Sequence, residues 1–410
     1  MTVTDKIAVL RRLTTLSQID MTTFTVAPDN VYCGASTQVK RGASQLAQGP
    51  PPGYPISTFS GGAAISKRST IIDVANLAGV SIKTVSRALN DAPHVSAEAR
   101  ERVKAAAATL DYHPNIAAQS LIARRSFLIG LTYERPSPSY VVELQNGALA
   151  RLEESRYRLV VLPFRNVADR PAELGRLLMR AGLDGVVLAP PACDQDELLA
   201  MLDKHRLPYA RITPHSAMDR GIVLAMDEVA AGQAVAAHLL ELGHTRIGIV
   251  LGDPSHAASA ARMEGYRRAF AEAKVVIDDR LIVTGDFTYD VGYKVAELLL
   301  NQAPQPTAIL AQNDDMAVAA MAAVRDCGLS VPHDISIAGF DDSEVARTAW
   351  PQLTTVRQPV MQMSWDATDR LIGWLDAGRK DGSEGEMAFA RRGNHPHELV
   401  VRASTAPPKV

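Results

Sequence analysis

From Phe127 onwards, short apolar runs alternate with amphipathic stretches of twelve to sixteen residues. The stretches carry apolar residues at i, i+3, i+4 and i+7, which is the spacing of one helix face, whereas the runs have the length of buried strands. Strands that alternate with helices predict a parallel sheet with helices on both faces. Because about 280 residues is large for one sheet, we expect two such lobes. The strand candidates are FLIGLTY, RLVVLPF, DGVVLA, YARI, GIVLAM, RIGIVLG, AILAQ and DISIAGF.

Several classes of protein are excluded by motifs that the sequence lacks. GxGxxG, GxxxxGKS, GxSxG and HExxH are all absent, so the commonest nucleotide, hydrolase and zinc signals are missing. Cys33, Cys193 and Cys327 stand far apart, which fits a reducing cytoplasm and excludes a disulfide scaffold or a cysteine zinc site. No apolar run reaches about 18 residues, so no membrane span is expected. We expect a cytoplasmic protein with no metal and no cofactor.

Residues 69–90, STIIDVANLAGVSIKTVSRALN, have the pattern of two short helices joined by a tight turn. Thr70 can cap the first helix, with a carboxylate at the third helical position. Gly79 stands where that helix must end, and Ser81 can cap the second helix. The spacing predicts a helix-turn-helix, whose second helix enters the major groove of DNA. A third helix is expected to begin at Ser96. A packed three-helix unit that binds protein instead of DNA is the alternative.

The exposed side of the second helix carries residue types that read DNA. Lys83 and Arg87 can donate to guanine, and Ile82 can touch a thymine methyl group. The charge distribution agrees with this interpretation, although the whole chain is close to neutral at −2. Residues 67–125 hold nine Lys/Arg against five Asp/Glu, and residues 126–410 hold 29 against 37. A small basic segment joined to an acidic body is typical of a protein in which one domain contacts phosphate.

The motifs VANLAGVSIKTVSRALN and HVSAEARERVKAAAATLDYHPNIAAQSL resemble the DNA-binding headpiece and hinge of the LacI/GalR family of transcriptional regulators. The resemblance covers about residues 69–405. It implies a sequence-specific repressor of carbohydrate-metabolism genes, which binds double-stranded operator DNA as a homodimer and is controlled by a small sugar-like effector. The DNA-binding residues that it implies are Thr70, Ser81, Ile82, Lys83, Thr84, Ser86, Arg87, Asn90, His94, Asn115, Ala118 and Leu121.

The segment IAAQSLIA, which follows Asn115, corresponds to the family's hinge helix. A helix of about nine residues is unstable in water by itself because nucleation is costly. The resemblance implies that it folds when two copies pair over the DNA minor groove, where Leu121 acts as an apolar wedge. Ile116 and Ile122 depart from the residue types expected there. An ordinary amphipathic linker helix is the alternative.

The large domain resembles a periplasmic sugar-binding fold without its export signal, which implies two lobes that close around a ligand. Arginine, carboxylate and amide side chains follow separate strand candidates and suit a polyhydroxylated ligand. Phe287 matches an aromatic position that stacks on a sugar face. The competing interpretation makes Arg262 a surface ion-pair partner, and Asp314 and Asp341 helix caps. The predicted effector-binding residues are Tyr133, Tyr140, Arg211, Thr213, Arg262, Phe287, Asn313, Asp314 and Asp341.

We predict four segments along the chain. Residues 1–66 form an N-terminal extension, which we expect to be disordered or to reflect an incorrectly assigned translation start. Residues 67–113 form the headpiece, residues 114–125 the hinge helix and linker, and residues 126–410 the effector-binding and dimerisation domain.

Two other functions compete with transcriptional regulation. A solute-binding protein for sugar uptake is disfavoured, because the apolar stretch near the start of the sequence is too short for a secretory signal and is interrupted by Arg11 and Arg12. An enzyme is disfavoured because the histidines are scattered and no base–nucleophile pair is evident, so no catalytic residue is predicted. Whether the effector induces or corepresses is left open by the sequence.

Overall fold

The computed structural model describes residues 69–89, 94–113, 125–134, 137–377 and 392–409. The predicted extension of residues 1–66 and nearly all of the predicted hinge lie outside the described residues. The same is true of four predicted DNA-binding residues, which are Asn90, Asn115, Ala118 and Leu121.

The first described residues form three helices, α1 (Ile71–Ala78), α2 (Ile82–Leu89) and α3 (Ala97–Thr109). The predicted caps are present. The Thr70 hydroxyl accepts from the backbone amide of Asp73, whose carboxylate accepts in return from the backbone amide of Thr70. Gly79 ends α1 in the left-handed conformation with φ of 65°. A small apolar core joins the three helices, and its completely buried members are Val74, Val85 and Val103. The helix-turn-helix prediction is therefore confirmed.

The large domain alternates strands and helices, as predicted. Its strands are β1 (Leu128–Tyr133), β2 (Arg158–Pro163), β3 (Gly185–Leu188), β4 (Tyr209–Ile212), β5 (Ile222–Met226), β6 (Ile247–Leu251), β7 (Ile282–Thr284), β8 (Ala308–Ala311), β9 (Ser336–Ala338), β10 (Thr355–Arg357), β11 (Arg392–His395) and β12 (Glu398–Val400). Its helices are α4 (Pro138–Leu152), α5 (Pro171–Arg180), α6 (Asp196–Lys204), α7 (Glu228–Glu241), α8 (Ala257–Glu272), α9 (Tyr289–Leu300), α10 (Asp314–Asp326), α11 (Glu344–Thr348) and α12 (Val360–Ala377).

Two parallel sheets form the two lobes. Among the described residues, the first lobe has six strands in the order β11-β5-β4-β3-β1-β2, and the second has four in the order β7-β6-β8-β9. A separate antiparallel pair joins β10 and β12. The expectation of two parallel lobes is confirmed. Four strands, β7, β10, β11 and β12, were not predicted. The strands β7, β10 and β12 span three residues each, and β11 has the polar sequence RGNH.

Within the described residues, the chain passes between the lobes at three places. It leaves the first sheet between β5 and α7, returns between β10 and α12, and leaves again between β11 and β12. Helix α12 packs against α4 and against β3, β4 and β5 of the first lobe. Because each sheet is parallel, the carboxyl ends of its strands meet at one edge, and the loops that follow them can face a common cleft. Among the described residues, no helix is long and apolar enough to cross a membrane.

Candidate functional site

A cavity lies between the two lobes. Its lining comes from both lobes and is largely supplied by segments that follow strands. The lining residues are Ser137, Tyr140, Pro190, Thr213, Glu228, His256, Ala258, Arg262, Phe287, Asn313, Asp341 and Gln358. The structure thus brings six predicted effector residues together around one cavity, and these are Tyr140, Thr213, Arg262, Phe287, Asn313 and Asp341.

Arg262 lies inside α8, in its second turn rather than at the helix start, and is almost completely buried. Its Nε donates to the Glu228 carboxylate at 2.8 Å. Its Nη1 donates to the backbone carbonyl of Gln312. The guanidinium carbon also stands 3.7 Å from the centre of the Phe340 ring, a cation–π contact. The interpretation of Arg262 as a surface ion-pair partner is therefore wrong.

Two glycines allow α7 and α8 to approach closely enough for this ion pair. A Cβ on Gly265 would stand 2.2 Å from the backbone oxygen of Val229, and one on Gly232 would stand 2.7 Å from that of Arg262. A larger residue at either position would push the helices apart. The pairing of Glu228 with Arg262 therefore depends on backbone packing between α7 and α8.

Asp341 follows β9 and lines the cleft with a buried carboxyl group. One carboxyl oxygen accepts from the side-chain amide of Gln358 at 2.6 Å, and the backbone amide donates to the carbonyl of Val356 at 2.8 Å. Burial raises the pKa of Asp341 well above the usual carboxyl value, although the nearby Arg262 opposes the shift. The environment therefore favours the neutral acid, which can donate a hydrogen bond as well as accept one.

Phe287 is held at the cleft by contacts on both sides. Its ring packs against Gly252, where a Cβ would stand 2.0 Å from the nearest ring atom. The ring of His256 meets it edge-on, with 5.3 Å between ring centres. Asn313 donates from its side-chain amide to the Phe287 carbonyl at 2.9 Å. An aromatic group with a fixed position next to polar groups is suited to a ligand that has one apolar face.

Arg211 was predicted at the effector site, but the structure does not place it in the cavity lining. It lies within β4 rather than after it, and its side chain is completely buried. The guanidinium braces the neighbouring loops through the carbonyls of Cys193 (2.6 Å), Ala217 (2.6 Å) and Ser216 (2.7 Å) and through the Asp194 carboxylate (3.4 Å). These bonds engage its guanidinium donors within the first lobe.

Asp314 and Tyr133 are also absent from the lining. The Asp314 carboxylate accepts from the Thr355 hydroxyl at 2.6 Å and from the backbone amide and hydroxyl of Ser343 at 2.8 and 3.0 Å. Asp314 therefore connects α10 to the segments after β9 and around β10. Burial raises the pKa of its carboxyl group to about 7. The cap of α10 is Asn313 rather than Asp314. Tyr133 is the last residue of β1 and packs half-buried against the core.

Six lining residues were not predicted. Most of them follow a strand by a few residues. Position after a strand, which identified Asn313 and Asp341, would therefore have identified them as well. Glu228 comes two residues after β5, and Gln358 comes directly after β10. The missed residues are Ser137, Pro190, Glu228, His256, Ala258 and Gln358.

The headpiece presents the predicted reading face on α2. Ile82, Lys83 and Arg87 are exposed, while Thr84 and Ser86 are half-buried. The Ser81 hydroxyl accepts from the backbone amide of Thr84 at 3.1 Å, which confirms the predicted cap.

Two further predicted DNA-binding residues flank this face. The Thr70 hydroxyl is engaged in the capping box of α1. His94 is exposed and adopts a positive φ of 69° shortly before α3. Both residues therefore lie at the surface of the headpiece, and the Thr70 side chain is already hydrogen-bonded to Asp73.

Comparisons with known proteins agree with both parts of the chain. The family model for bacterial regulatory proteins of the lacI family matches residues 70–115, and the model for a periplasmic binding protein-like domain matches residues 236–405. The transcriptional regulator DegA of Bacillus subtilis (strain 168) is 33% identical over 83% of this chain and 99% of its own length. The chain belongs to the LacI family. This LacI-family protein is therefore a helix-turn-helix transcriptional regulator.

Other relatives of this LacI-family regulator cover a similar share of it. The transcriptional regulator CelR of Thermobifida fusca is 33% identical over 75% of this chain and 92% of its own. A lac repressor dimer bound to operator and the anti-inducer ONPF matches with a TM-score of 0.70 and 28% identity, over 83% of this chain and all of that one. A CelR–cellobiose complex matches with a TM-score of 0.60 and 31% identity, over 82% and 100%. These relatives are regulators, which favours regulation over solute uptake or catalysis.

Proposed function

We propose that this LacI-family regulator represses carbohydrate-metabolism genes in the cytoplasm, and that a small sugar-like effector in the cleft controls its affinity for operator DNA. The observation that carries the proposal is the cleft itself. Both lobes line one cavity, and a buried arginine, a carboxyl group and an aromatic ring converge on it from separate segments. This combination suits a ligand with several hydroxyl groups and one apolar face.

The chemistry of the lining supports a carbohydrate. The Arg262 guanidinium has more donors than its two partners use, and Asp341 and Gln358 add a carboxyl group and an amide. Phe287 offers an apolar surface. By their descriptions, one related structure holds cellobiose and another holds the anti-inducer ONPF.

A homodimer is the proposed DNA-binding form. One helix-turn-helix reads one half-site, so two copies are needed for a palindromic operator. The second lobe carries an apolar groove whose lining includes Leu329, Val331 and Trp350, and Trp350 is 91% exposed. An exposed tryptophan of this kind is typical of an interface. We propose a second copy of this chain as its occupant, as in the dimer that the related lac repressor forms.

Control of DNA binding is proposed to work by a shift in population. An effector that contacts both lobes favours one arrangement of them over the other, by no more than its differential affinity for the two. Residues 114–125 are the proposed hinge, with Asn115, Ala118 and Leu121 at the DNA. Asn90 and His94 complete the proposed contacts of the headpiece, together with Thr70 and the α2 residues Ser81, Ile82, Lys83, Thr84, Ser86 and Arg87.

A gel shift with the upstream region of the protein's own gene tests the proposal. The protein should prefer this fragment over competitor DNA, and a sugar that raises its melting temperature should change the affinity. Arg262→Ala should still bind the fragment but no longer respond to the sugar. Arg268→Ala is the matched control, because Arg268 is an exposed arginine of the same helix that pairs with Glu264. Lack of preference for any promoter fragment, with or without sugars, contradicts the proposal.

A further inference from the structure

The arginine described in the cleft already has a counter-ion inside the protein. Arg262 and Glu228 are 5% and 3% exposed, and their Nε and Oε2 atoms stand 2.8 Å apart. Both side chains line the cavity. A ligand that reaches the guanidinium therefore also meets the carboxylate of Glu228.

The other described lining residues do not add positive charge. Within the part of the chain that the structure describes, Arg262 is the only Lys or Arg side chain that lines the cavity. His256 is mostly buried, which lowers its pKa and favours the neutral ring. Asp341 contributes a second carboxyl group. Phosphate or carboxylate groups that approach Arg262 would lose their hydration and would also face the Glu228 carboxylate.

We propose that Glu228 determines effector specificity by excluding anionic ligands, so that the cleft takes uncharged polyhydroxylated molecules rather than phosphorylated or carboxylated ones. This inference rests on the proposed function only in taking the cleft as the effector site. The ion pair leaves the remaining guanidinium donors able to bind hydroxyl groups, which carry no charge to be repelled. Removal of the Glu228 charge would leave a buried cation without its counter-ion, which an inorganic anion could then replace.

The test uses inorganic phosphate, at constant ionic strength, and follows the melting temperature of the purified full-length protein. Glu228→Gln keeps the shape of the side chain and an acceptor for the Arg262 Nε. We expect phosphate to raise the melting temperature of this variant by about 2–4 °C more than that of the wild type. Glu264→Gln, which changes a half-buried glutamate of α8 outside the cavity lining, should behave like the wild type.

The double variant Glu228→Gln/Arg262→Gln removes both charges and should lose the extra stabilisation. The wild type should respond to phosphate no more than the double variant does, and this comparison stands even if Glu228→Gln does not fold. A larger response of the wild type overturns the proposal, as does a folded Glu228→Gln variant without an increased response. No DNA or sugar is used, so failure here leaves the gel-shift test of the proposed function intact.

Discussion

The side chain of Asn313 bonds at once to the helix that it caps and to the backbone of Phe287. Its oxygen accepts from the Met316 amide at 3.0 Å, and its nitrogen donates to the Phe287 carbonyl at 2.9 Å. Phe287 has a positive φ of 67°, a conformation that costs free energy for a residue with a Cβ. A helix cap in the second lobe thus also holds the aromatic ring of the cleft in place.

Asn313→Ser should separate these two roles. Serine is a good N-cap and can still accept from Met316, but it has no amide to donate to the Phe287 carbonyl. We expect affinity for the effector to fall by about 1–3 kcal/mol, the cost of leaving a buried polar group unpaired, with a smaller change in the free energy of unfolding. Calorimetric titration and urea denaturation measure the two. Asn313→Ala should lose about 1 kcal/mol more in unfolding, because the cap is lost as well. Unchanged affinity in the serine variant would contradict the positioning role.

Gly265→Ala should weaken the contact between α7 and α8. The new methyl group would stand 2.2 Å from the Val229 oxygen, so the helices must separate. We expect the free energy of unfolding to fall by about 1–3 kcal/mol. Gly373→Ala in α12 is the control, because its Cβ would meet nothing within 4 Å. That variant should gain up to about 1 kcal/mol from helix propensity. Equal effects in urea denaturation would refute the close-packing explanation.

Arg87→Ala should reduce specific binding to DNA. Arg87 is exposed on α2, the proposed reading helix. Loss of a base contact should cost about 1–3 kcal/mol on the operator and less on random DNA. Fluorescence anisotropy titrations on both kinds of DNA measure this, with Arg268→Ala as the control. Equal losses on the two would mean that Arg87 contacts only phosphate.

Trp350→Glu should shift the protein from dimer to monomer. A carboxylate at an apolar interface loses hydration without a partner, and an interface tryptophan commonly contributes about 2 kcal/mol or more. Sedimentation velocity over a concentration series measures the dissociation constant. Val276→Glu makes the same change at another exposed apolar residue, 87% exposed, and should leave the dimer intact. A stable dimer with glutamate at position 350 would place the interface elsewhere.

Asp314 should make stability depend on pH. Its pKa rises from 3.8 to about 7 on burial, so the folded state binds more protons than the unfolded state between these values. The stabilisation is fully present below about pH 4 and is lost as pH rises through 7. Asp314→Asn removes this titration. Relative to that variant, the wild type should lose unfolding free energy between pH 5 and 7, by at most about 1.4 kcal/mol per pH unit. Unfolding free energies from urea denaturation are compared at each pH. The same pH dependence in the wild type and in Asp314→Asn would show that Asp314 does not titrate in this range.

The headpiece was the most predictable part, because its determinants are local. The caps at Thr70 and Ser81 and the left-handed turn at Gly79 involve residues only a few positions apart. In the large domain, Asn313 and Asp341 could be predicted because each follows a strand, and parallel strands end at one edge of the sheet. Position relative to a strand could not show that the Arg211 guanidinium bonds to neighbouring loops instead of facing the cavity.

The sequence by itself determined the class of fold, the helix-turn-helix and about half of the described cleft lining, because periodicity, caps and strand ends depend on neighbouring residues. Only the tertiary structure decided that Arg262 is buried against Glu228, that Asn313 holds Phe287, and that Asp314 ties segments together outside the cavity lining. The physical reason is distance along the chain. These partners are 26 to 41 residues apart in sequence, so their contacts exist only after the helices and strands have packed.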